Sequence, residues 1–367
     1  MNKLRGFLIK VIGNKKRTEI NKDLVKKILI PGGRIGDIVC STPFIREIHK
    51  VFPKAQMDIY LDKVTSPILK ECPYINVITT EKSSRRVHKI KILKILFSYY
   101  DSFLKRGKYD LCFDFTNNMR IYNILSLRIL NPRYILGAFR KEKYGIKKDE
   151  LTIFTKYISN SKSSHVSDIC LSFAEYFNPD IKNRKYEIYL GEKETKYEKY
   201  FDKGKVNILF NYIGGAPQKI LSLEEVRESC FKIIETNKNI VVYVMTLPNE
   251  YEKVKKEIES WKEERIRLSV KTENILDAAA LIKYSDMLIS VDTGVVHIAS
   301  AFNIPVISIF PDNDNSINYF SPKSDFSYVI KCDDKRYIRN FNKVEMQKII
   351  EEFIKVENSK IVKEESK

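Results

Sequence analysis

Cysteine is sparse in this chain. Six residues, Cys40, Cys72, Cys112, Cys170, Cys230 and Cys332, are scattered, and no two form a C-x-x-C pair. Histidine is rarer still, at four: His49, His88, His165 and His297. Such spacing builds neither a disulfide framework nor a zinc ligand set, and the thiols read as reduced structural residues. No run reaches the ~18 apolar residues that a membrane-spanning helix requires. The longest apolar stretches, 278–282, 287–291 and 304–310, have the length of a strand or a core helix. The first fourteen residues begin basic, but Lys10 interrupts their apolar part and no small-residue cleavage site follows. No signal peptide is expected there, and the cytoplasm is the expected compartment.

What the chain has in excess is positive charge. Lys and Arg number 65 against 47 acids, a formal net charge of +18. An anionic partner is implied: nucleic acid, a membrane surface or an acidic substrate. One concentration runs from Lys3 to Lys27; a second runs from Lys82 to Lys148 with only Asp101, Asp110, Asp114 and Glu142 among its cations. The second half is nearly balanced. The asymmetry points to two surfaces with different tasks, against the plainer reading of a lysine-rich background.

A length of 367 residues with 43% hydrophobic and 31% charged residues is ordinary globular composition and predicts about two domains. Short apolar runs alternate with helical patterns, the mark of an α/β chain with parallel sheets. Strands are expected at 27–31, 57–61, 76–79, 109–115 and 134–138, with helices including 44–51 and 90–104. A second series follows: strands at 206–212, 240–246, 267–270, 287–291 and 305–310, with helices at 222–236, 249–261, 274–284, 294–302 and 343–356. The helix after 222 opens on the capping box Ser222-Leu-Glu-Glu225. The expected organisation is a basic extension over 1–26, a Rossmann-like domain over 27–180, and a linker over 181–205. A second Rossmann-like domain follows over 206–340, then a helix and polar tail over 341–367. Two doubly wound domains facing across a cleft fit this order, with ligands at the carboxyl ends of the strands.

Three loops carry candidate chemistry. The first strand runs into Pro31-Gly-Gly-Arg-Ile-Gly-Asp37, which matches neither a dinucleotide fingerprint nor a Walker loop. Asp37 either accepts a proton from a substrate hydroxyl or caps the following helix. The segment Asn211-Tyr-Ile-Gly-Gly-Ala-Pro-Gln-Lys219 is again strand, glycine pair and helix start. Lys219 suits a diphosphate there, or is a solvated surface lysine. The third is Ser290-Val-Asp-Thr-Gly-Val-Val-His297, a buried strand ending at Asp292, a tight turn and a small-residue helix. The first amides of that helix, over 293–296, would point at an anion. His297 is a packing residue or lies beside that site.

These residues resemble a known family. Arg34-Ile-Gly-Asp37 with Thr42-Pro43, Lys219 before the second-domain helix, and Asp292-Thr-Gly-Val-Val-His297 followed by Ile304-Pro305 are similar to glycosyltransferase family 9. These are the heptosyltransferases that build the inner core of bacterial lipopolysaccharide. The resemblance spans roughly residues 27–322. It implies the GT-B architecture, with a nucleotide sugar held mainly by the second domain and an acceptor by the first. It makes Asp37 the general base, and gives Gly214, Gly215, Lys219, Asp292, Thr293, Gly294 and His297 to the donor diphosphate and sugar. Glu250, with Glu252 as a rival, would bind ribose, and Thr272 and Glu273 would line the base. Arg34, Gly36 and Arg120 fall on the acceptor side. The chain departs from the family at Leu221 (usually tryptophan), at Pro311-Asp312 after Phe310, and at Tyr319-Phe-Ser-Pro322, which echoes a closing Trp-x-Pro.

The expected reaction is an inverting sugar transfer from ADP-heptose, without cofactor or metal. Asp312-Asn-Asp314 follows the last strand and reads as a polar loop rather than a divalent-ion site. The acceptor would be a lipid-anchored anionic sugar. Amphipathic segments at 4–12 and 89–97 would lie on the anionic inner face of the cytoplasmic membrane, unless 89–97 is a core helix with a solvated face. Two other readings stay open: a GT-B enzyme using a hexose or amino-sugar donor, and a non-catalytic nucleic-acid binder. The aromatics do not interleave with the basic residues in an RNA-module pattern, so no nucleic acid is expected.

Overall fold

The computed structural model describes residues 2–80, 107–159 and 163–365, with side chains described as far as 357. The helix expected at 90–104 and the amphipathic segment 89–97 lie outside the described residues. The chain divides into two compact units, one of Met1–Arg34 with Cys40–Arg184, the other of Ile35–Val39 with Lys185–Lys367.

The first unit is built on a sheet of six parallel strands in the order β3-β2-β1-β4-β5-β6. These are β1 (Lys27–Ile30), β2 (Gln56–Asp62), β3 (Asn76–Thr80), β4 (Leu111–Asp114), β5 (Tyr134–Ala138) and β6 (Lys156–Ile158). Its described helices are α1 (Asn2–Ile12), α2 (Ile35–Val51), α3 (Ile121–Leu130) and α4 (Val166–Glu175). The first turn of α2 clusters with the second unit.

The second unit repeats the plan. Its sheet runs β12-β11-β10-β7-β8-β9, all parallel. The strands are β7 (Val206–Asn211), β8 (Ile240–Met245), β9 (Ile266–Leu268), β10 (Met287–Val291), β11 (Val306–Phe310) and β12 (Ser327–Lys331). The helices are α5 (Leu223–Thr236), α6 (Tyr251–Ser260), α7 (Ile275–Lys283), α8 (Gly294–Ala301), α9 (Asp314–Phe320) and α10 (Lys343–Glu365). Read from either sheet's own first strand, the order is the doubly wound 3-2-1-4-5-6. The chain therefore reverses direction at β1/β4 in one unit and at β7/β10 in the other. Such switch points leave a crevice at the strands' carboxyl ends.

The strands β7, β8, β10 and β11 are almost wholly buried, and Phe210, Val242, Ile289 and Ile307 sit in one core cluster. Parallel strands covered on both faces need such predominantly apolar runs, which is why these four were legible as strands. Ser222 and Glu225 form both halves of the expected capping box at the start of α5.

Several boundaries differ from expectation. The helix expected at 44–51 begins at Ile35 and carries Pro43 inside it. Proline removes a helical hydrogen bond and normally ends a helix, but residues 38–48 of α2 are buried, and packing holds the helix together around it. The strands β6 and β12 and the helices α3, α4 and α9 were not foreseen. The polar loop expected at Asp312-Asn-Asp314 is instead the start of α9, capped by the Asn313 side chain on the Ser316 amide. Both acids pair with Lys331, at 3.7 Å from Asp312 and 2.6 Å from Asp314.

A candidate donor site at the second sheet's switch point

After β7 the chain folds back sharply on itself. Ile213 and Ile220 make an antiparallel bridge, and the Leu221 amide donates to the Tyr212 carbonyl at 3.1 Å. Gly214 lies under this fold. A Cβ there would meet Lys219 Cβ and the Lys219 carbonyl oxygen at 2.4 Å, so only glycine fits. The Ile338 amide donates to the Gln218 carbonyl at 2.9 Å and holds the other side of the loop. Leu221, where the family has tryptophan, is buried in the apolar core.

The fold-back delivers Lys219 to the neighbouring strand's end. Its Nζ pairs with Asp292 Oδ2, one residue beyond β10. The two strands are tied at the same level, where Asn211 Nδ2 donates to Ser290 Oγ at 2.9 Å. Sequence reasoning missed Asn211 and Ser290. The available signal was a polar residue at the last position of one buried strand and next to last in another.

Thr293 sits at the N-cap of α8 in extended backbone, with no side-chain hydrogen bond to the helix. The Thr293 side chain thus leaves the start of α8 uncapped, and the first-turn amides carry the positive end of the helix dipole. Gly294 and Gly36 allow close packing within this unit. A Cβ on Gly294 would come within 2.7 Å of Ile35 Cγ2 and 2.9 Å of the Gly36 nitrogen. A Cβ on Gly36 would meet His297 Cδ2 at 2.9 Å. His297 is buried in the first turn of α8, its ring 6.3 Å from Tyr186 and 6.0 Å from Phe320. Asp37 stands in the first turn of α2, one residue beyond Gly36.

The remaining candidates follow the same edge. Glu250 lies after β8 at the N-cap of α6. Burial pushes the Tyr212 phenol above its ordinary value; its hydrogen bond with Thr246 opposes this, and the Glu250 carboxylate adds to it. Glu250 is half-buried, whereas Glu252 is exposed one residue inside α6. Thr272 and Glu273 follow β9. Glu273 is largely exposed and lies 3.8 Å from Lys193. Its amide donates to Asp277 Oδ2 at 2.9 Å, and Lys193 and Lys196 reach Asp277 Oδ1 at 2.6 and 2.9 Å. Gly215 belongs to the loop after β7, beside Gly214.

In the first unit, Arg34 is exposed in the loop after β1, and Arg120 is exposed at the N-cap of α3, beyond β4. A buried cation went unnoticed in the sequence. Arg140 follows β5, binds Asp114 Oδ2 at 2.6 Å and Thr116 Oγ1 at 2.7 Å, and stacks 4.5 Å over the Phe154 ring. It fixes the start of the loop that leads from β4 to Arg120.

The model of glycosyltransferase family 9 (heptosyltransferase) matches residues 103–337, more than half of the chain. The chain belongs to glycosyltransferase family 9. Among curated relatives of this family, the lipopolysaccharide core heptosyltransferase OpsX of Haemophilus influenzae is 23% identical over 277 residues, 75% of this chain and 76% of that one. Among solved structures, a family 9 glycosyltransferase from Veillonella parvula superposes with a TM-score of 0.68 at 15% identity, over 89% of this chain and 97% of that one. The E. coli heptosyltransferase WaaC with ADP-2-deoxy-2-fluoro heptose gives 0.65 at 15% identity, over 89% and 99%. The fold is that of the family 9 GT-B enzymes. Within the match to the family model fall Lys219, Asp292, Thr293, Gly294 and His297; Asp37 precedes it.

Proposed function

We propose that this family 9 enzyme transfers a heptose from ADP-heptose to a lipopolysaccharide inner-core acceptor, with inversion at the anomeric carbon. The observation that carries the reading is the Lys219–Asp292 pair beside the uncapped N-terminus of α8, at the switch point of the second sheet. A lysine and the amides of a helix start that no N-cap side chain covers suit a diphosphate. The name of the OpsX relative and the ADP-sugar held by the solved WaaC favour heptose and adenine.

In this mechanism the second unit holds the donor. Gly214 and Gly215 let the loop approach it closely, and Lys219 meets the diphosphate. Asp292, Thr293, Gly294 and His297 line the sugar side. Glu250 binds ribose, and Thr272 and Glu273 flank the base. Asp37 takes the proton of the acceptor hydroxyl as its oxygen bonds to the anomeric carbon. The bond from that carbon to the diphosphate oxygen breaks, and its electron pair leaves with ADP. Lys219 and the amides of α8 stabilise the charge that develops there, the role a metal plays in other transferases. Turnover should therefore survive EDTA. Arg34, Gly36 and Arg120 receive an anionic, lipid-anchored acceptor, which places the enzyme at the inner face of the cytoplasmic membrane.

The deciding measurement is calorimetric binding of ADP, UDP and GDP to the wild type and to Lys219→Ala, followed by product analysis with ADP-heptose. Preferential ADP binding that the substitution weakens supports the reading. Preference for UDP or GDP replaces heptose by a hexose or amino sugar, and binding of none removes the donor site altogether.

A further inference from the structure

The helix α1 lies outside the segment that matches the family model, and the proposed reaction gives it no task. One face holds it to the first unit. Ile9 is fully buried with Met119, Ile124, Leu151 and Phe154. Gly6 is pressed so close that a Cβ would come within 2.2 Å of the Tyr144 carbonyl oxygen. The Ile153 amide donates to the Gly13 carbonyl at 2.8 Å, the Lys15 amide donates to Thr152 Oγ1 at 2.9 Å, and Lys10 pairs with Glu150 at 2.6 Å. The helix is thus docked without using its other face.

That other face is apolar. Leu4, Phe7, Leu8 and Val11 are 64%, 64%, 41% and 56% exposed. At helical spacing they form one stripe ~100° wide, opposite Gly6 and Ile9. Stripes of this kind on a soluble surface mark a place where something docks. The charge around it narrows the choice. Lys3 and Lys10 flank the stripe on one side and Arg5 on the other. Lys15, Lys16 and Arg17 follow, and no acid occurs before Glu19. Burial first, and then the charges of Lys108 and Arg128, holds the Lys15 ammonium below its ordinary value. A second copy of the chain would bring the same cations against these in a twofold pairing. An anionic lipid surface would neutralise them. At ~1.5 Å per residue, eleven residues span ~16 Å, half a bilayer core, so the helix lies along a membrane rather than across it.

We propose that α1 is an interfacial helix, which sets Leu4, Phe7, Leu8 and Val11 into an anionic phospholipid bilayer while Lys3 and Arg5 reach its phosphates. The inference deepens the reading of a lipid-anchored acceptor by naming the surface that meets the membrane, and its vesicle test runs without donor or acceptor. The full chain is floated with vesicles of phosphatidylglycerol and phosphatidylcholine, and with phosphatidylcholine alone. The expected result is binding to the anionic vesicles only, with a loss of ~10-fold or more in Phe7→Asp/Leu8→Asp. A several-fold loss is expected in Lys3→Ser/Arg5→Ser and at about 0.5 M salt. The milder Leu4→Ser/Val11→Ser, with thermal melting of each variant, separates lost docking from lost folding. Equal binding by wild type and both stripe variants overturns the proposal, as does no binding by the wild type. A wild-type dimer that the stripe variants break apart also overturns it, making a second copy the occupant. Transfer to an acceptor freed of its lipid should be the same in wild type and stripe variants. Its absence in both would sink the reaction proposed above and leave the vesicle result standing.

Discussion

Lys219 and Asp292, 73 residues apart in sequence, form an ion pair between the loop after β7 and the turn after β10. The pair positions the lysine before any anion arrives, since both side chains are largely sheltered. In the donor site proposed above, a diphosphate would meet an ammonium already held at Asp292, next to the N-cap of α8. Lys219→Ala should weaken nucleoside-diphosphate binding ~10- to 100-fold, the range of a charge-assisted hydrogen bond. Lys219→Arg should recover part of it. Titration calorimetry reads both, and an unchanged dissociation constant for Lys219→Ala would remove the lysine from the site.

Gly214→Ala tests the fold-back itself. The new Cβ would sit 2.4 Å from both Lys219 Cβ and a backbone oxygen, and the backbone atom cannot swing aside. The loop must open, which displaces Lys219 while leaving the β-sheet core intact. Donor KM should rise ~10-fold or more, with a fall of only a few degrees in Tm. A Tm loss with KM unchanged would mean that the loop only supports the fold.

How far the sequence discloses this site depends on the range of the interaction concerned. Asp292-Thr-Gly294 was legible because a mostly apolar strand stops at an acid, a turn and a small-residue helix, all local signals. The capping box at Ser222 was legible for the same reason. The start of α2 was not, because Pro43 is locally a helix breaker and only burial around it overrides that preference. Asn211 and Ser290, or Asp114 and Arg140, meet only through strand pairing or across loops, and no spacing announces them. Tyr319 and Phe320 echoed a closing family motif in sequence; in the structure they lie in α9.

Asp277 supports the candidate base-binding loop from behind. Burial raises the pKa of its carboxyl, but Lys193, the Glu273 amide and Lys196 outweigh this and hold it below the ordinary value near 3.8. A depressed carboxyl contributes stability that is fully present above the unfolded value and is lost as pH falls through the folded one. Asp277→Asn should cost about 1–3 kcal/mol at neutral pH, since the lysines left behind are partly exposed and can turn to water. The gap in Tm between wild type and variant should stay constant above about pH 5 and close as pH drops below about 4. A gap that does not depend on pH would assign the loss to packing.

Asp37 remains the residue whose two sequence readings, base or helix cap, lead to opposite measurements. It lies in the first turn of α2, where an acid favours the helix dipole, and directly beyond Gly36, which packs on Gly294 and His297. As a base, Asp37→Asn should lower kcat by 10²–10⁴-fold, because the amide cannot take the acceptor's proton. Donor binding should be unchanged, because the diphosphate is held by other groups. Asp37→Glu should retain part of the rate. As a helix-end residue, Asp37→Asn should leave kcat unchanged and cost at most about 1 kcal/mol of stability, the worth of an acid's interaction with the helix dipole. Single-turnover rates with ADP-heptose, set beside calorimetric donor binding and Tm, separate the two. A variant that turns over like the wild type assigns Asp37 to the helix and leaves proton transfer to another group or to water.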